Sequence, residues 1–382
     1  MALSSAGSVY TCGLGKSGQL GRGGTDTQHT FGPVKLPEQC YAISSGGLFT
    51  AVVTTSGAVY TFGCGKHGRL GTGHETDQLM PCGIKGELDR KVIQKVSCGS
   101  WHGAAVSDDK NLFIWGHGRS HGVMGYSPCP DIACPTLLTG SFSGKVAGVA
   151  CGNNFTLMWT VDGMAFSWGS GRYGVLGQGN SDDCPQPTKI TGLLELVIVH
   201  MDAGFAHNGA VTSDGVVYMF GRNDEGALGL GGSSAHKEVT NPQRIPDIPP
   251  MTKVSCSVGE HHGHTLFLAR DGTVFACGDG YKGKLGLGNQ QSLQRPVQIP
   301  KENFSGEFII AVSSGGIHSA AVSLAGHLFT WGCGSDGRLG HPEGKGHRYL
   351  FRSDIPKMVP GLAQVIDVSC SYYHTVALLQ GK

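Results

Sequence analysis

The sequence predicts an all-β fold: a seven-bladed β-propeller of four-stranded antiparallel blades. Three observations predict it. A fifteen-residue motif recurs seven times, opening at Gly7, Gly57, Asn111, Gly163, Gly215, Gly272 and Gly326, at spacings of 50 to 57 residues. A second motif precedes six of these copies, and its seventh copy closes the chain from Val368. The residues between glycines alternate in short apolar runs, with no helical period. Self-similarity at this period, with room for four short strands per unit, is the mark of a propeller.

Each element follows in order. The second motif, as in VSCGSWHGAAVSDDK from Val96, reads as a short strand, a Gly/Ser turn and a second apolar strand. The first motif, as in GHLFTWGCGSDGRLG from Gly326, adds a third strand that stops at Gly332, then a glycine-rich turn and Arg338-Leu339-Gly340. A fourth strand is expected at Pro33–Leu36, Pro187–Ile190 and Pro296–Ile299, with proline at its first position, since an edge strand need not donate every N–H. The chain begins with the first motif and ends with the second. Its two ends are therefore expected to share one blade, which closes the ring without a free sheet edge. Blades are expected at about 41–91, 92–146, 147–195, 196–250, 251–308 and 309–364, with the seventh from 365–382 and 1–40. No linker or tail is apparent, so residues 1–382 are expected to form one propeller domain, either whole or part of a larger protein.

Composition agrees. Glycine makes up 63 of the 382 residues, about twice average usage, as turns that need positive φ require. Net charge is +1 and charged residues are 15%, which argues against strong nucleic-acid binding, a matter of many Lys and Arg contacts to phosphate. No run of about 20 apolar residues is present, and the first residues resemble no signal peptide, so no membrane span is expected. Cys98, Cys151, Cys256 and Cys370 share a repeat slot with Ser45, Ala203 and Ser314. That interchange asks for a small buried residue, and the thirteen cysteines are expected to be reduced thiols of an intracellular protein.

Several motifs tempt and fail. Gly13 to Gly18 matches a dinucleotide fingerprint, but so do four other turns, and no helix follows any of them. Cys129 and Cys134 lack a second pair, so no metal site is read from the sequence. Trp115, Trp168 and Trp331 share a slot with Phe62 and Phe220 and are expected in the blade core. Asp162, Asp214 and Asp271 precede turn glycines and are turn formers; no catalytic residues and no cofactor are expected.

Departures from the repeat are where binding is sought. They are the loop within Asn111–Gly125, the run His261-His262-Gly263-His264, and the long basic segment from His341 to Pro360 with Tyr349 and Phe351. Repeat symmetry also sets Phe49, His102, Phe155, His207, His264, His318 and His374 in a ring near the central shaft. Each imidazole is expected to bond a neighbouring backbone group and tie blades together. The same ring, with neighbours Trp101, Phe205, Tyr372 and Tyr373, is the expected partner-binding face: Trp101, His102, Phe205, His207, His264, His318, Tyr372, Tyr373 and His374.

The W/F-G-x-G-x-x-G-x-L-G core, in seven copies with single departures in some and across nearly the whole chain, resembles the regulator of chromosome condensation repeat family. The resemblance implies a seven-bladed propeller. Its founding member is a guanine-nucleotide exchange factor for a Ran-like small GTPase and carries a wedge in its third repeat turn. Trp115-Gly116-His117-Gly118-Arg119 and Gly122-Val123-Met124-Gly125 resemble that turn, which makes Arg119, Ser120 and His121 the candidate wedge. Where the founding member has Asp, this chain has Lys16, Ser100 and Asn154, which weakens charge complementarity to a basic GTPase. Plant ultraviolet-B receptors share the fold, but their G-W-R-H-T repeats are absent here. The resulting expectation is a monomeric, non-enzymatic protein-binding propeller, an interaction scaffold or regulator. The alternative is an exchange factor for a Ran-like GTPase.

Overall fold

In the computed structural model the ring is built as the repeats require. The structure describes residues 7–118, 122–126, 130–140, 142, 144–232, 237–260, 263–345 and 351–381. Seven inner strands line the shaft: Cys40–Ser45, Ile93–Cys98, Val146–Cys151, Ile198–Ala203, Met251–Cys256, Ile309–Ser314 and Val365–Cys370. They belong to blades one to seven in that order. The second strands are Phe49–Thr54, His102–Ser107, Phe155–Thr160, His207–Thr212, His264–Ala269, His318–Ser323 and His374–Gln380. The third are Val59–Gly63, Leu112–Gly116, Ala165–Gly169, Val217–Arg222, Val274–Gly278, Leu328–Cys333 and, for blade seven, Gly7–Gly13. Outermost lie Gln78–Gly83, Ile132–Leu137, Cys184–Lys189, Glu238–Arg244, Leu293–Gln298, Arg352–Met358 and Gln28–Pro33. Neighbouring strands within each blade pair antiparallel, and every inner strand starts with the same one-residue bulge.

The seam is where expected. Gly7–Gly13 pairs with the C-terminal strand in an unbroken register from Gly7 opposite Gln380 to Gly13 opposite His374. A further bridge, Gly7 to Cys40, ties the seam blade to blade one.

The fourth strands depart from expectation. They begin several residues earlier than their prolines. Pro81, Pro135, Pro187 and Pro296 stand fourth in the strand, and Pro242 and Pro356 fifth. The reason lies in the register. Pairing with the third strand is interrupted in the residues before or at the proline, for example between the Gly169–Cys184 and Ser167–Thr188 pairs. A residue without an N–H fits there at no loss of a ladder bond.

Apolar side chains fill the wedges between blades. Leu112, Ile114 and Met124 of blade two meet Val146, Met158 and Trp168 of blade three, all buried. Trp115, Trp168 and Trp331 are fully buried, and each Nε1–H donates to a turn carbonyl of the preceding blade: Arg69 at 2.9 Å, Val123 at 2.9 Å and Lys284 at 2.8 Å. A buried indole needs such an acceptor.

Hydrogen bonds along the shaft join the inner strands. The Cys98 amide donates to Ser44 Oγ at 2.9 Å, Cys151 to Ser97 at 2.9 Å, Ser314 to Ser255 at 2.9 Å, Cys370 to Ser313 at 2.8 Å and Ser45 to Ser369 at 3.0 Å. Asp202 takes the same part for Cys256 at 2.6 Å. Burial pushes its carboxyl up to about 6, although the Cys256 and Ala203 amides pull the other way. The slot of small Cys, Ser and Ala residues faces this crowded axis. The twelve cysteines among the described residues are free thiols.

Candidate functional site

The turns between inner and second strands make one face of the ring, here the upper face. Each turn places one or two residues at the shaft mouth and then sends the chain down the second strand. Third strands carry a glycine at their last or next-to-last position beside it because there is no room for a side chain. Gly116 has φ 114, and a Cβ would stand 2.6 Å from Trp101 O and from His102 Cα.

The ring of histidines lies below this face. His102, His264, His318 and His374 are fully buried and His207 nearly so. Each Nε2 sits 2.9 Å from a hydroxyl on the second strand of the next blade: Thr156, Thr265, Ser319, Thr375 and Thr50 for His102, His207, His264, His318 and His374. Four of these hydroxyls donate onward to a turn carbonyl of the histidine's own blade. Thr265 bonds Ala227 O at 2.6 Å, Ser319 bonds Lys284 O at 2.8 Å, Thr375 bonds Arg338 O at 2.7 Å and Thr50 bonds Gln19 O at 2.9 Å. A hydroxyl has one proton. In these four the imidazole must therefore be the donor, a neutral ring with its hydrogen on Nε2. Burial drives the rings the same way, holding His102 and His374 down to about 3, His207 to about 4, and His264 and His318 well below the usual range.

Two expectations are thereby corrected. The interblade bonds run from Nε2 to side-chain hydroxyls rather than to backbone groups. And His102, His207, His264, His318 and His374 are not surface residues of a partner-binding face, because inner and third strands flank each one and the next blade covers it. The remaining slots obey the same pairing rule. Where Phe49 and Phe155 replace histidine, the next blade offers Gly103 and Asn208 instead of a hydroxyl.

The aromatic neighbours behave differently. Trp101 is 37% exposed, and Phe205, Tyr372 and Tyr373 are half-buried. They come from blades two, four and seven, yet all four line one cavity of about 360 Å³ at the shaft mouth. Gly47, Arg69, Asn153 and Glu260 are among the other residues of its wall. The rings of Tyr372 and Tyr373 lie 4.3 Å apart.

Two arginines that the sequence reading passed over hold these aromatics. Arg69 and Arg338 occupy one repeat slot, in Gly-Arg-Leu-Gly, where other blades have Gln19, Val123, Val175, Ala227 and Lys284. Both are buried. The Arg69 guanidinium stacks 4.2 Å from the Trp101 ring and donates to Lys66 O at 2.9 Å and Ser100 O at 3.2 Å. Burial pulls its pKa below the ordinary arginine range. Arg338 lies 5.4 Å from the Tyr373 ring and donates to Ser335 O at 2.8 Å, Tyr372 O at 2.9 Å and Asp336 at 3.3 Å. At the position of Asp336, blade one has His67, and Arg69 Nη2 has no hydrogen-bond partner among the described residues. A buried N–H without an acceptor at the edge of a cavity favours a ligand that brings one. The signal was in the sequence: two arginines in a slot that is otherwise mostly uncharged.

The candidate wedge, Arg119, Ser120 and His121, lies outside the described residues, as do Cys129, His261, His262 and Tyr349.

A profile of the RCC1-like domain matches residues 1–263, and profiles of the regulator of chromosome condensation repeat match 271–322 and 325–378. The chain belongs to the regulator of chromosome condensation repeat family. Among curated proteins this RCC1-like propeller is 32% identical to the human E3 ubiquitin-protein ligase HERC2 over 85% of the chain and 7% of the ligase. It is 32% identical to the Arabidopsis thaliana ultraviolet-B receptor UVR8, over 76% of the chain and 63% of the receptor. It is 27% identical to the mouse serine/threonine-protein kinase Nek9, over 77% of the chain and 31% of the kinase. The chain thus spans less than two thirds of the length of each of these relatives. Among solved structures, human WBSCR16 superposes with a TM-score of 0.86 at 25% identity, covering 98% of this chain and 99% of that one. Prp20p of Saccharomyces cerevisiae superposes with a TM-score of 0.85 at 20% identity, covering 100% and 93%. Among the described residues no helix is long and apolar enough to cross a membrane.

Proposed function

We propose that this RCC1-like propeller is a non-enzymatic protein-binding module that takes its partner on the upper mouth of the shaft. One observation carries the reading. Exposed Trp101 and half-buried Phe205, Tyr372 and Tyr373 converge on one cavity, with Arg69, whose Nη2 has no partner among the described residues, in its wall. Rigid aromatics backed by arginine are the usual anchors of an interface. The partner segment that suits them supplies an apolar side chain and a carboxylate or carbonyl for Arg69 Nη2. Free thiols throughout the described residues suit an intracellular setting, cytoplasmic or nuclear. The ligase and kinase activities of the relatives are not carried over, since the chain spans 7% and 31% of those proteins. Prp20p is described with binding to Gsp1p and histones; exchange activity towards a Ran-like GTPase is the alternative for this chain.

The test compares the tagged full chain with Trp101→Ala, Tyr373→Ala and, as a control on the lower face, Leu324→Ala. Partners are captured from lysate and identified by mass spectrometry. Release of a fluorescent GDP analogue from Ran is measured alongside. The reading expects a partner retained by Leu324→Ala and lost by both aromatic variants, with melting temperatures unchanged. A partner that survives both aromatic variants overturns the face. Release of GDP many times faster than the spontaneous rate replaces the binding-only reading with the exchange factor.

A further inference from the structure

The same rim holds a second cluster, between blades one and two. His67 lies in the 3-10 turn Lys66–Gly68 of blade one, with φ 59. His117 follows the third strand of blade two, and Asp131 precedes its fourth. Asp131 Oδ2 is 3.0 Å from His67 Nδ1, and Oδ1 is 2.9 Å from His117 Nδ1. The imidazole rings are 4.4 Å apart.

The repeat explains one of these three residues and not the others. Asp131 Oδ1 accepts the Gly118 amide at 3.0 Å, as Asp77 accepts Gly65 at 2.8 Å and Asp183 accepts Gly171 at 3.0 Å. That bond closes the glycine turn in three blades and is structural. The histidines have no such role. The slot of His67 holds Ser17, Tyr173, Glu225, Lys282 and Asp336 elsewhere, and the slot of His117 holds Leu14, Cys64, Ser170, Arg222, Asp279 and Cys333. Turn geometry therefore demands neither imidazole. Both imidazoles meet on the Asp131 carboxylate.

We propose that His67, His117 and Asp131 form a binding site for a zinc-class divalent cation that clamps blade one to blade two. The three ligand atoms, two imidazole nitrogens and a carboxylate oxygen, lie within 4.8 Å of one another. Tetrahedral zinc with bonds of about 2.0–2.1 Å keeps its ligand atoms about 3.3 Å apart. The contacts, 3.0 Å to Oδ2 and 2.9 Å to Oδ1, need to open by a few tenths of an ångström, and the two nitrogens, within 4.8 Å of each other, must settle at the same spacing about one ion. Binding exchanges two N–H···O bonds for metal bonds. Each ring moves its remaining hydrogen to Nε2, so no imidazole charge is created. Two nitrogens and one oxygen suit zinc and neighbouring transition ions; calcium and magnesium prefer oxygen alone. The side chains of His67, His117 and Asp131 are 38%, 20% and 8% exposed, so the ion can enter from solvent and keep a fourth position open. On the same rim the Trp101 ring stands 5.8 Å from His67. The site does not depend on the partner reading above.

The full chain, stripped with EDTA, is titrated with Zn²⁺ by calorimetry and by competition with a chromophoric chelator. One equivalent is expected, with a melting temperature that climbs with free zinc by mass action. Mg²⁺ and Ca²⁺ should have no effect. His67→Ala and His117→Ala should each weaken binding by at least about tenfold. Asp131→Asn keeps an oxygen for the Gly118 amide and should weaken it as well, which separates ligand loss from loss of the turn. Co²⁺ should give the visible absorption of a tetrahedral nitrogen–oxygen site, absent in the double histidine variant. Failure to bind zinc, or zinc retained in full by the double histidine variant and so held by thiols, overturns the proposal.

Discussion

His374 Nε2 lies 2.9 Å from Thr50 Oγ1, across the junction between the blade that holds both chain ends and blade one. Thr50 donates its own proton to Gln19 O at 2.9 Å. One hydroxyl is thus held by two groups of the preceding blade, one from each end of the chain. The same fastening recurs at Thr265, Ser319 and Thr375.

Thr50→Val keeps the shape of the side chain and removes both bonds. It leaves a buried imidazole N–H and a buried carbonyl without partners, at about 1–3 kcal/mol each. Urea unfolding should show a loss of about 2–6 kcal/mol. Because the two residues share one bond, Thr50→Val and His374→Phe should be non-additive by about 1 kcal/mol or more. Additive losses would show that the contact carries little energy.

Acid should loosen the ring before it affects most other bonds. The five imidazoles stay neutral in the fold, with His102 and His374 down near about 3 and His207 near about 4, while unfolded imidazole titrates near about 6.5. Between those values the unfolded chain binds protons that the native state does not, so stability falls as pH falls. From pH 7.5 to pH 5 the loss is about 2 kcal/mol for each ring. Asp202 works in the opposite sense. Its carboxyl is raised to about 6, so the native state binds its proton first, and burial raises Asp367 likewise; these two oppose the five imidazoles, which His200 and His341, both held down to about 4, join. Differential scanning fluorimetry should show a melting temperature that drops steadily below pH 6.5; a flat profile down to pH 5 would contradict the neutral, buried assignment.

Deletion of residues 365–382 should unfold the protein rather than trim it. It removes the inner and second strands of the seam blade and strips Gly7–Gly13 of the partner it pairs with along its whole length. The edge of Gly7–Gly13 would then be left unpaired, and the faces of blades six and one that packed on the lost strands would be bared. The truncated chain is expected to be insoluble, or to lack a cooperative melt. A truncation that melts at the wild-type temperature would place the closure elsewhere.

The repeat by itself determined the blades, their number, the shared seam blade and the burial of Trp115, Trp168 and Trp331. These follow from local rules: alternation marks strands, glycine marks turns, and identical units can bury their apolar faces only against one another. It also placed the histidines in a ring. What one repeat cannot say is which residue of the next stands against it, because that depends on the rotation between blades. Only the assembled ring put His374 on Thr50, turned the imidazoles inward, and left Trp101, Phe205, Tyr372 and Tyr373 as the open face. Only the ring brought Arg69 beneath Trp101. It also brought His67 to Asp131, 64 residues away, where no spacing rule for metal ligands would have joined them. The physical reason is that strands form through contacts near in sequence, whereas sites at blade junctions are made by side chains that meet only after the blades have packed.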